Sequence, residues 1–267
     1  METIPHSICS TNGDITFIMP SDLSLVFCVL GNIAAGKSSL VAGLKKILPN
    51  SIVASEPRDK WAELGIIQAY YEDTNPDNPN RGSEHVSAIF QYTAFSTRLL
   101  EYKRAMDKKP TFLIGDGHPL NDYHVFVKTL NMKDSQGRQM INDKELKWYE
   151  DQFKCWQELC PASIPAFFVY LRTSPEKCFE RNRIRIEEEG RYEEKPISIE
   201  FLTHLHKRYE EMVKIDEIKD KLHIINGDKS KEDVKNDVIA LMREACKLRS
   251  SFVINGQDIP FDHAVTL

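Results

Sequence analysis

The sequence predicts an α/β fold in which helices flank a five-stranded parallel sheet. Short apolar runs typical of buried strands alternate with segments of helical periodicity. The first run leads directly into G-x-x-x-x-G-K-S at residues 31–38, and a phosphate-binding loop requires that order of strand, loop and helix. The chain has 267 residues, of which 41% are hydrophobic, and this is enough to form one large core.

The five predicted strands are short and mostly apolar. They are residues 25–30, 51–55, 111–115, 166–171 and 222–226. The first is apolar throughout, as expected of a parallel strand that helices cover on both faces. Ligands of such sheets bind beyond the carboxyl ends of the strands. Glu56 and Asp116, which follow the second and third strands, are therefore expected to lie beside the phosphate-binding loop.

Helical patterns occupy the connections between the strands. The predicted helices are residues 36–47, 66–71 and 85–106, a segment that begins near Asn142, and residues 230–248. Asn142 and Glu145 have the spacing of a capping box, in which the two side chains satisfy backbone donors of the first helical turn. Trp148 and Trp156 in this helix are assigned to packing.

The domain organisation follows from the distribution of these patterns. Residues 1–24 are polar and contain two prolines, which indicates an appended N-terminal arm. Residues 25–248 contain every strand and helix pattern and form the predicted domain. Residues 249–267 are expected to be an irregular tail.

Composition and charge exclude several classes of partner. The net charge of −5 argues against a surface that coats nucleic acid, and no apolar run approaches the roughly 20 residues that cross a bilayer. The six cysteines are scattered without a C-x-x-C pair, which indicates reduced thiols. Residues 1–24 contain no Lys or Arg, unlike a signal or transit peptide. We expect a cytoplasmic protein with neither nucleic-acid nor membrane partners.

The loop at residues 31–38 predicts a polyphosphate site. Backbone N–H groups of the loop and of the following helix present unpaired donors to an anion. Lys37 is expected to reach the β- and γ-phosphates, and the Ser38 hydroxyl to bind Mg²⁺. The residues expected around the phosphates are Gly31, Asn32, Ala34, Ala35, Gly36, Lys37, Ser38 and Ser39.

Several blocks between residues 25 and 245 carry a family resemblance. They are G-N-I-A-A-G-K-S at 31–38, Glu56-Pro57 with Trp61, Phe90-Gln91, the run from Leu171 to Cys178 with the arginines up to Arg185, and Gly190-Arg191-Tyr192-Glu193-Glu194. Together they resemble the deoxynucleoside kinase family, most closely its deoxycytidine and deoxyguanosine kinase branch. The resemblance implies a P-loop kinase fold with an arginine-rich lid at about residues 181–195, and a homodimer.

The resemblance also implies a reaction, the ATP-dependent phosphorylation of a deoxynucleoside 5′-hydroxyl. In that reaction Glu56 would orient or deprotonate the hydroxyl. Lys37, Arg181 and Arg185 would neutralise phosphate charge, and Ser38 with Asp116 would hold Mg²⁺. Arg98 and Asp122 match a charged pair that faces the base edge in the deoxycytidine kinase branch. The implied substrate contacts are Glu56, Trp61, Tyr71, Phe90, Gln91, Arg98, Asp122, Arg191 and Glu194.

Each assignment has a structural alternative. Glu56 is a candidate solvated or capping residue at a strand end, whereas Trp61, Tyr71 and Phe90 are also candidates for the core. Arg181 and Arg185, four apart on a helix, are placed equally well for a salt-bridged face with residues 187–189. Two rival functions also remain open: a nucleoside-monophosphate kinase, which needs further basic residues, and a non-catalytic nucleotide-binding or structural subunit.

Two departures from the family pattern stand out. Residues 186–189 lengthen the lid, and Asp116-Gly117-His118 replaces the family's E-R-S block. The arginine that steadies the hydroxyl-activating carboxylate in that block is therefore missing. We expect Arg183, or another arginine of the longer lid, to compensate, with His118 as a weaker candidate.

Overall fold

The computed structural model describes residues 25–48, 50–134, 137–159, 167–247, 252–254 and 257–259. Its strands are β1 (Leu25–Gly31), β2 (Ser51–Ala54), β3 (Phe112–Asp116), β4 (Phe167–Arg172) and β5 (Leu222–Asn226). They form one parallel sheet in the order β2-β3-β1-β4-β5. The predicted sheet is confirmed, with each strand end within one residue of its expected position.

The central strand explains the location of the phosphate-binding loop. All seven residues of β1 are buried, because neighbouring strands pair with both of its edges and helices cover its faces. The outer strand β5 is only partly buried, and its Ile224 side chain is 42% exposed. The loop at residues 31–38 therefore leaves the sheet at its centre, between the ends of β3 and β4.

The helices lie around this sheet. They are α1 (Lys37–Ile47), α2 (Arg58–Glu63), α3 (Ile66–Thr74), α4 (Val86–Met106), α5 (Pro119–Asn121), a π-helix (Asp122–Val127), α6 (Lys128–Leu130), α7 (Asp143–Leu159), α8 (Pro175–Glu189), a 3₁₀ turn (Tyr192–Glu194), α9 (Ile199–Met212), α10 (Asp216–Lys219) and α11 (Lys231–Lys247). The Asn142 N–H donates to Glu145 Oε2 at 2.8 Å, and the Glu145 N–H donates to Asn142 Oδ1 at 3.1 Å. These reciprocal bonds confirm the predicted capping box. No helix in the described ranges has both the length and the hydropathy needed to cross a bilayer.

The structure adds elements that the sequence patterns did not predict. The helical stretch from α5 to α6 has no regular apolar period, because its centre is a π-helix that changes the angular spacing of side chains. The sequence of α9 does contain the signals of a helix, namely an N-cap residue and an apolar stripe. Ser198 caps it by accepting from the Phe201 N–H at 3.1 Å, and its buried residues, Phe201, Leu202, Leu205, Tyr209 and Met212, follow a helical spacing.

Two other expectations are wrong in part. The C-terminal segment contains a small antiparallel pair, β6 (Phe252–Ile254) and β7 (Gln257–Ile259), where an irregular tail was predicted. Trp156 packs in the core as expected, but the Trp148 side chain is 60% exposed. The predicted N-terminal arm, residues 1–24, lies outside the described residues.

A glycine at the end of β3 brings α4 close to the sheet. A Cβ atom on Gly115 would lie 1.7 Å from the Tyr102 hydroxyl oxygen and 2.8 Å from the Cys28 sulfur. Tyr102 uses this space to donate a hydrogen bond to the Gly117 carbonyl at 2.8 Å. The absence of a side chain at Gly115 thus allows α4 to hold the turn that follows β3.

We expect the substitution Gly115→Ala to lower the free energy of unfolding by about 1 to 3 kcal/mol, the usual cost of overpacking a core. Gly43→Ala is the matched control, because its Cβ would make only an ordinary contact at 3.5 Å from Lys235 Cδ. In helix α1 that change is expected to stabilise by up to about 1 kcal/mol. Urea unfolding of both variants measures the difference, and equal stabilities would contradict this account of Gly115.

Candidate active site

Two cavities meet at the phosphate-binding loop. The first cavity, of about 170 Å³, extends from the loop past the ends of β2 and β3 to α3 and α4. The second cavity, of about 500 Å³, lies between α1, α8 and the start of α11. The residues that line both are Ala34, Lys37, Ser38, Arg185 and Arg191. Lys37 and Ser38 therefore stand where a group bound in one cavity can contact a group bound in the other.

The structure brings nearly all the predicted site residues to these cavities. Those that line the first cavity are Ala34, Lys37, Ser38, Glu56, Trp61, Tyr71, Phe90, Gln91, Arg98, Asp116, Asp122, Arg185, Arg191 and Glu194. Those that line only the second are Ala35, Gly36, Ser39 and Arg181. Gly31 and Asn32 line neither cavity and instead shape the loop.

Backbone geometry and α9 hold the loop in place. Gly36, just before α1, has a φ of +104°, a conformation that favours glycine. Tyr209 of α9 donates its hydroxyl to the Gly31 carbonyl at 2.7 Å, and the Asn32 side-chain amide donates to the Leu202 carbonyl at 2.9 Å. The Lys37 ammonium donates to the carbonyls of Gly31 and Asn32, each at 2.9 Å. The lysine charge is thus held against the loop at the junction of the cavities.

Glu56 lies in the first cavity beside a buried arginine. Arg98 Nη2 donates to Glu56 Oε1 at 3.0 Å. The Glu56 side chain is 39% exposed and lines the cavity, so a bound molecule has access to the carboxylate. Burial acts to raise the pKa of Glu56, but Arg98 and Lys37 outweigh it and lower the pKa below its usual value. Glu56 is therefore ionised at neutral pH and able to accept a proton or a hydrogen bond.

Asp116 and Ser38 are the residues beside the phosphate loop that could hold a metal. Burial and then the negative charge of Glu56 raise the pKa of Asp116, whereas Lys37 and a hydrogen bond with Ser38 lower it. No cluster of three or more His, Cys, Asp or Glu occurs within the part of the chain that the structure describes. Mg²⁺ is commonly bound through one or two carboxylates together with substrate phosphates. An adjacent carboxylate and hydroxyl beside a phosphate loop fit that pattern.

Aromatic rings form one wall of the first cavity. The Phe90 ring stacks on Tyr70 with centroids 4.3 Å apart, and Trp61 meets Phe90 edge-on at 5.3 Å. Trp61 and Phe90 are buried and also line the cavity, so their core and site assignments are compatible. Gln91 is buried beside them. The wall offers an apolar plane with an amide group at its edge.

The lid closes the first cavity through a fully buried carboxylate. Glu194 Oε1 accepts from Arg185 Nη2 at 2.6 Å and lies 3.1 Å from Arg58 Nη2 and 3.6 Å from Arg191 Nη1. Among the described residues, Glu194 Oε2 and Arg185 Nε are buried with no hydrogen-bond partner. Such groups are rare in folded proteins, and here both belong to residues that line the cavity. They are suited to bind the polar groups of a ligand.

Arg58 is a cavity residue that the sequence analysis missed. It bridges α2 to the lid through ion pairs with Glu193 and Glu194. Its sequence position could have indicated this, because Arg58 is a basic residue only two positions after Glu56 and lies between Glu56 and Trp61.

The lengthened lid keeps Arg181 and Arg185 on one face of α8. Residues 186–189 add a last turn to the helix, which ends at Gly190 with a φ of +68°. Arg181 donates to the carbonyls of Ala35 and Gly227, each at 3.0 Å, and so attaches the lid to the phosphate loop. Both arginines point to the cavities rather than to a salt-bridged face with residues 187–189.

The expected compensation by Arg183 or His118 is wrong. Arg183 is exposed and lines neither cavity. His118 is fully buried, caps α5 by accepting from the Leu120 N–H at 3.2 Å, and packs between Tyr102 and Trp156. The cation next to Glu56 comes from α4 instead, because the turn at Gly117 leaves space for Arg98.

The fold and the site define a P-loop phosphotransferase, with a phosphate loop between a cavity of about 500 Å³ and a smaller cavity of about 170 Å³ with an aromatic wall. Comparison with known proteins narrows this class. The family model for deoxynucleoside kinase matches residues 27–247. The chain belongs to the deoxynucleoside kinase family.

Similar proteins agree with this assignment. The probable deoxycytidine kinase of fowlpox virus is 30% identical over 201 residues, which cover 74% of this chain and 77% of that protein. Deoxycytidine kinase of Rattus norvegicus is 28% identical over 228 residues, with coverages of 79% and 82%. A structure of M. mycoides deoxyadenosine kinase with bound products has a TM-score of 0.62 at 21% identity, over 82% of this chain and 99% of that one. This last likeness concerns the fold.

Proposed function

We propose that the protein transfers the γ-phosphoryl group of ATP to the 5′-hydroxyl of a deoxynucleoside, producing the monophosphate for nucleotide salvage. One observation carries the proposal: an ionised carboxylate, Glu56, shares a cavity with Lys37 and Ser38 of the phosphate loop. A hydroxyl in that cavity would lie between a proton acceptor and a bound phosphate. Phosphoryl transfer needs this positioning and charge stabilisation more than covalent chemistry.

A residue of the site is proposed for each step of the transfer. Glu56 orients the hydroxyl and takes its proton as the new O–P bond forms. The bond between the γ-phosphorus and the bridging oxygen breaks, and ADP leaves. Lys37, Arg181 and Arg185 neutralise the charge that spreads over the phosphate oxygens.

Ser38 and Asp116 are proposed to hold Mg²⁺. The metal would supply charge neutralisation on the phosphates. The adjacent hydroxyl and carboxylate support this assignment, as described above.

The first cavity is proposed to bind the deoxynucleoside. The base would pack on Phe90 and Trp61, with Gln91 and the Arg98–Asp122 pair at its edge. The sugar would lie towards the lid. The residues proposed to contact it are Tyr71, Arg191 and Glu194, and the unpartnered Oε2 of Glu194 supports this assignment.

The two rival functions fit less well. A nucleoside-monophosphate kinase needs additional positive charge for the acceptor phosphate. Arg58 is the one cation of the first cavity beyond those that the sequence analysis named. The carboxylates of Glu193 and Glu194 already pair with Arg58, so its charge is offset. A non-catalytic subunit has no need for an ionised carboxylate beside the phosphate loop.

We further propose residues 25–248 as the kinase domain, a cytoplasmic location, and assembly into a homodimer. Support for a dimer comes from α4 and α7, which pack side by side with the rings of Phe95 and Tyr149 5.6 Å apart. Their outer surfaces carry exposed apolar side chains, namely Ile89 at 54%, Leu100 at 39%, Trp148 at 60% and Leu159 at 80%. Exposed apolar groups of this kind commonly mark protein–protein contacts.

We expect Lys37→Ala to lower kcat by at least about 10², because it removes the point charge nearest the migrating group. Lys46→Ala, at an exposed position of the same helix, is the control and should retain wild-type activity. A radiolabelled ATP assay over the four deoxynucleosides and their monophosphates measures both variants and separates the rival functions. Wild-type turnover by a folded Lys37→Ala protein would overturn the assignment of the loop.

The protein is expected to use deoxycytidine or purine deoxynucleosides at least tenfold better than thymidine in kcat/KM, or by about 1.4 kcal/mol. Arg98 Nε donates to Asp122 Oδ2 at 2.8 Å, with side-chain exposures of only 5% and 4%, so the pair is not a surface ion pair. A buried pair at the base edge would leave little room for the thymine methyl group. Asp122→Asn should lower the ratio of kcat/KM for the preferred deoxynucleoside to kcat/KM for thymidine. Equal use of thymidine by the wild type would refute the prediction.

Trp148→Glu is expected to convert the dimer to a monomer, because it places a charge on the exposed apolar surface of α4 and α7. Leu64→Glu, directly after the end of α2 at 62% exposure, is the matched control and should leave the mass unchanged. Sedimentation equilibrium measures both. A monomeric wild type, or a Trp148→Glu variant with the wild-type mass, would contradict this interface.

A further inference from the structure

Arg98 is a buried cation with three different partners. Its side chain is 5% exposed. Nε donates to Asp122 Oδ2 at 2.8 Å, Nη1 to the Asp116 carbonyl at 2.8 Å, and Nη2 to Glu56 Oε1 at 3.0 Å. A role confined to the base edge would need only the bond to Asp122. The other two bonds extend towards the reacting end of the cavity.

Two glycines make this arrangement possible. A Cβ atom on Gly117 would lie 2.6 Å from Arg98 Nη1, and Gly117 has a φ of +82°, a conformation that favours glycine. Gly115 makes similar room for Tyr102, one helical turn after Arg98 on the same face of α4. Tyr102 and the Cys28 thiol both donate to the Gly117 carbonyl, at 2.8 and 3.1 Å. The turn after β3 is thus held open where the guanidinium enters.

We propose that Arg98 is the positioning residue for Glu56, holding its carboxylate towards the acceptor hydroxyl while the same guanidinium anchors Asp122 and the Asp116 carbonyl. This inference rests on the proposed function, in which Glu56 takes the hydroxyl proton. Arg98 itself transfers no proton. It acts on the reaction through Glu56.

The position of Glu56 explains why it needs such a partner. It follows the end of β2 and is 39% exposed to the cavity, so a free side chain would sample several rotamers. The charged and titratable groups that face it are Lys37, Arg58, Tyr71, Arg98, Asp116 and Asp122. Two of these are carboxylates that repel Glu56. Among the described residues, only Arg98 donates a hydrogen bond to the Glu56 carboxylate.

The experiment compares variants in an Asp122→Asn background. Removing Arg98 alone would leave Asp122 buried and unpaired, a strongly destabilising change. In the Asp122→Asn background, substitution of Arg98 leaves only the Glu56 carboxylate without its partner, and Glu56 is open to the cavity. Arg98→Met and Arg98→Lys are made in this background, and Arg183→Ala in the wild type serves as the exposed-arginine control.

We expect Arg98→Met to lower kcat at least tenfold relative to Asp122→Asn and to raise KM for the deoxynucleoside by a smaller factor, because Asp122→Asn has already altered the base edge. The acid limb of the kcat profile should move to higher pH, because the pKa of Glu56 rises when its nearest cation is removed. The kcat profile reports groups in the substrate complex. Arg98→Lys should recover part of kcat, since it keeps the charge without the planar fork. Arg183→Ala should stay within twofold of wild type.

An unchanged kcat and acid limb in Arg98→Met would overturn the proposal. If Arg98→Met does not fold, Arg98→Lys decides: a kcat and an acid limb equal to those of Asp122→Asn in that variant also overturn it. A wild type that phosphorylates no deoxynucleoside contradicts the proposed function instead. The pairing is then tested without turnover by electron density of the unliganded protein, where a guanidinium turned away from Glu56 overturns it.

Discussion

Burying a charged side chain costs several kcal/mol unless an opposite charge and hydrogen bonds offset the loss of water, and this constraint organises the first cavity. An acidic chain gathers five cations there, and carboxylates from other parts of the chain pair with most of them. Arg98 contacts Glu56 and Asp122, whereas Arg58 and Arg185 contact Glu194. The unpartnered atoms, Glu194 Oε2 and Arg185 Nε, mark where polar groups of a ligand would complete the network.

Elements outside the cavities keep this network in place. Helix α9 contributes no residue to either cavity, yet Tyr209 and the Leu202 carbonyl fix both residues at the start of the phosphate loop. Helix α4 contributes Arg98 directly and holds the turn after β3 through Tyr102. The loop and Glu56 are thus held by two helices, α9 and α4, that both pack against the π-helix. Their separation is therefore determined by core packing rather than by flexible surface segments.

The departure at Asp116-Gly117-His118 has a structural explanation. Gly117 has no side chain, and the space is occupied by an arginine that approaches from α4 instead of from the turn. The cation beside Glu56 is thereby kept while its origin in the sequence changes. The longer lid likewise keeps its functional residues in place. Residues 186–189 extend α8 by a turn, and Arg181 and Arg185 still lie on the cavity face.

The sequence by itself determined the five parallel strands, the phosphate loop and, with the family resemblance, every charged residue of the first cavity except Arg58. The strands and the loop are encoded locally, in apolar runs, in glycine spacing and in the rule that strand ends meet at one edge. The tertiary structure decided that Glu56 pairs with Arg98 and Glu194 with Arg58. Glu56 and Arg98 lie 42 positions apart, and only the packing of α4 against two glycines brings them together. The π-helix at residues 122–127 and the support of the loop by α9 likewise depend on long-range contacts, which no local pattern of residues specifies.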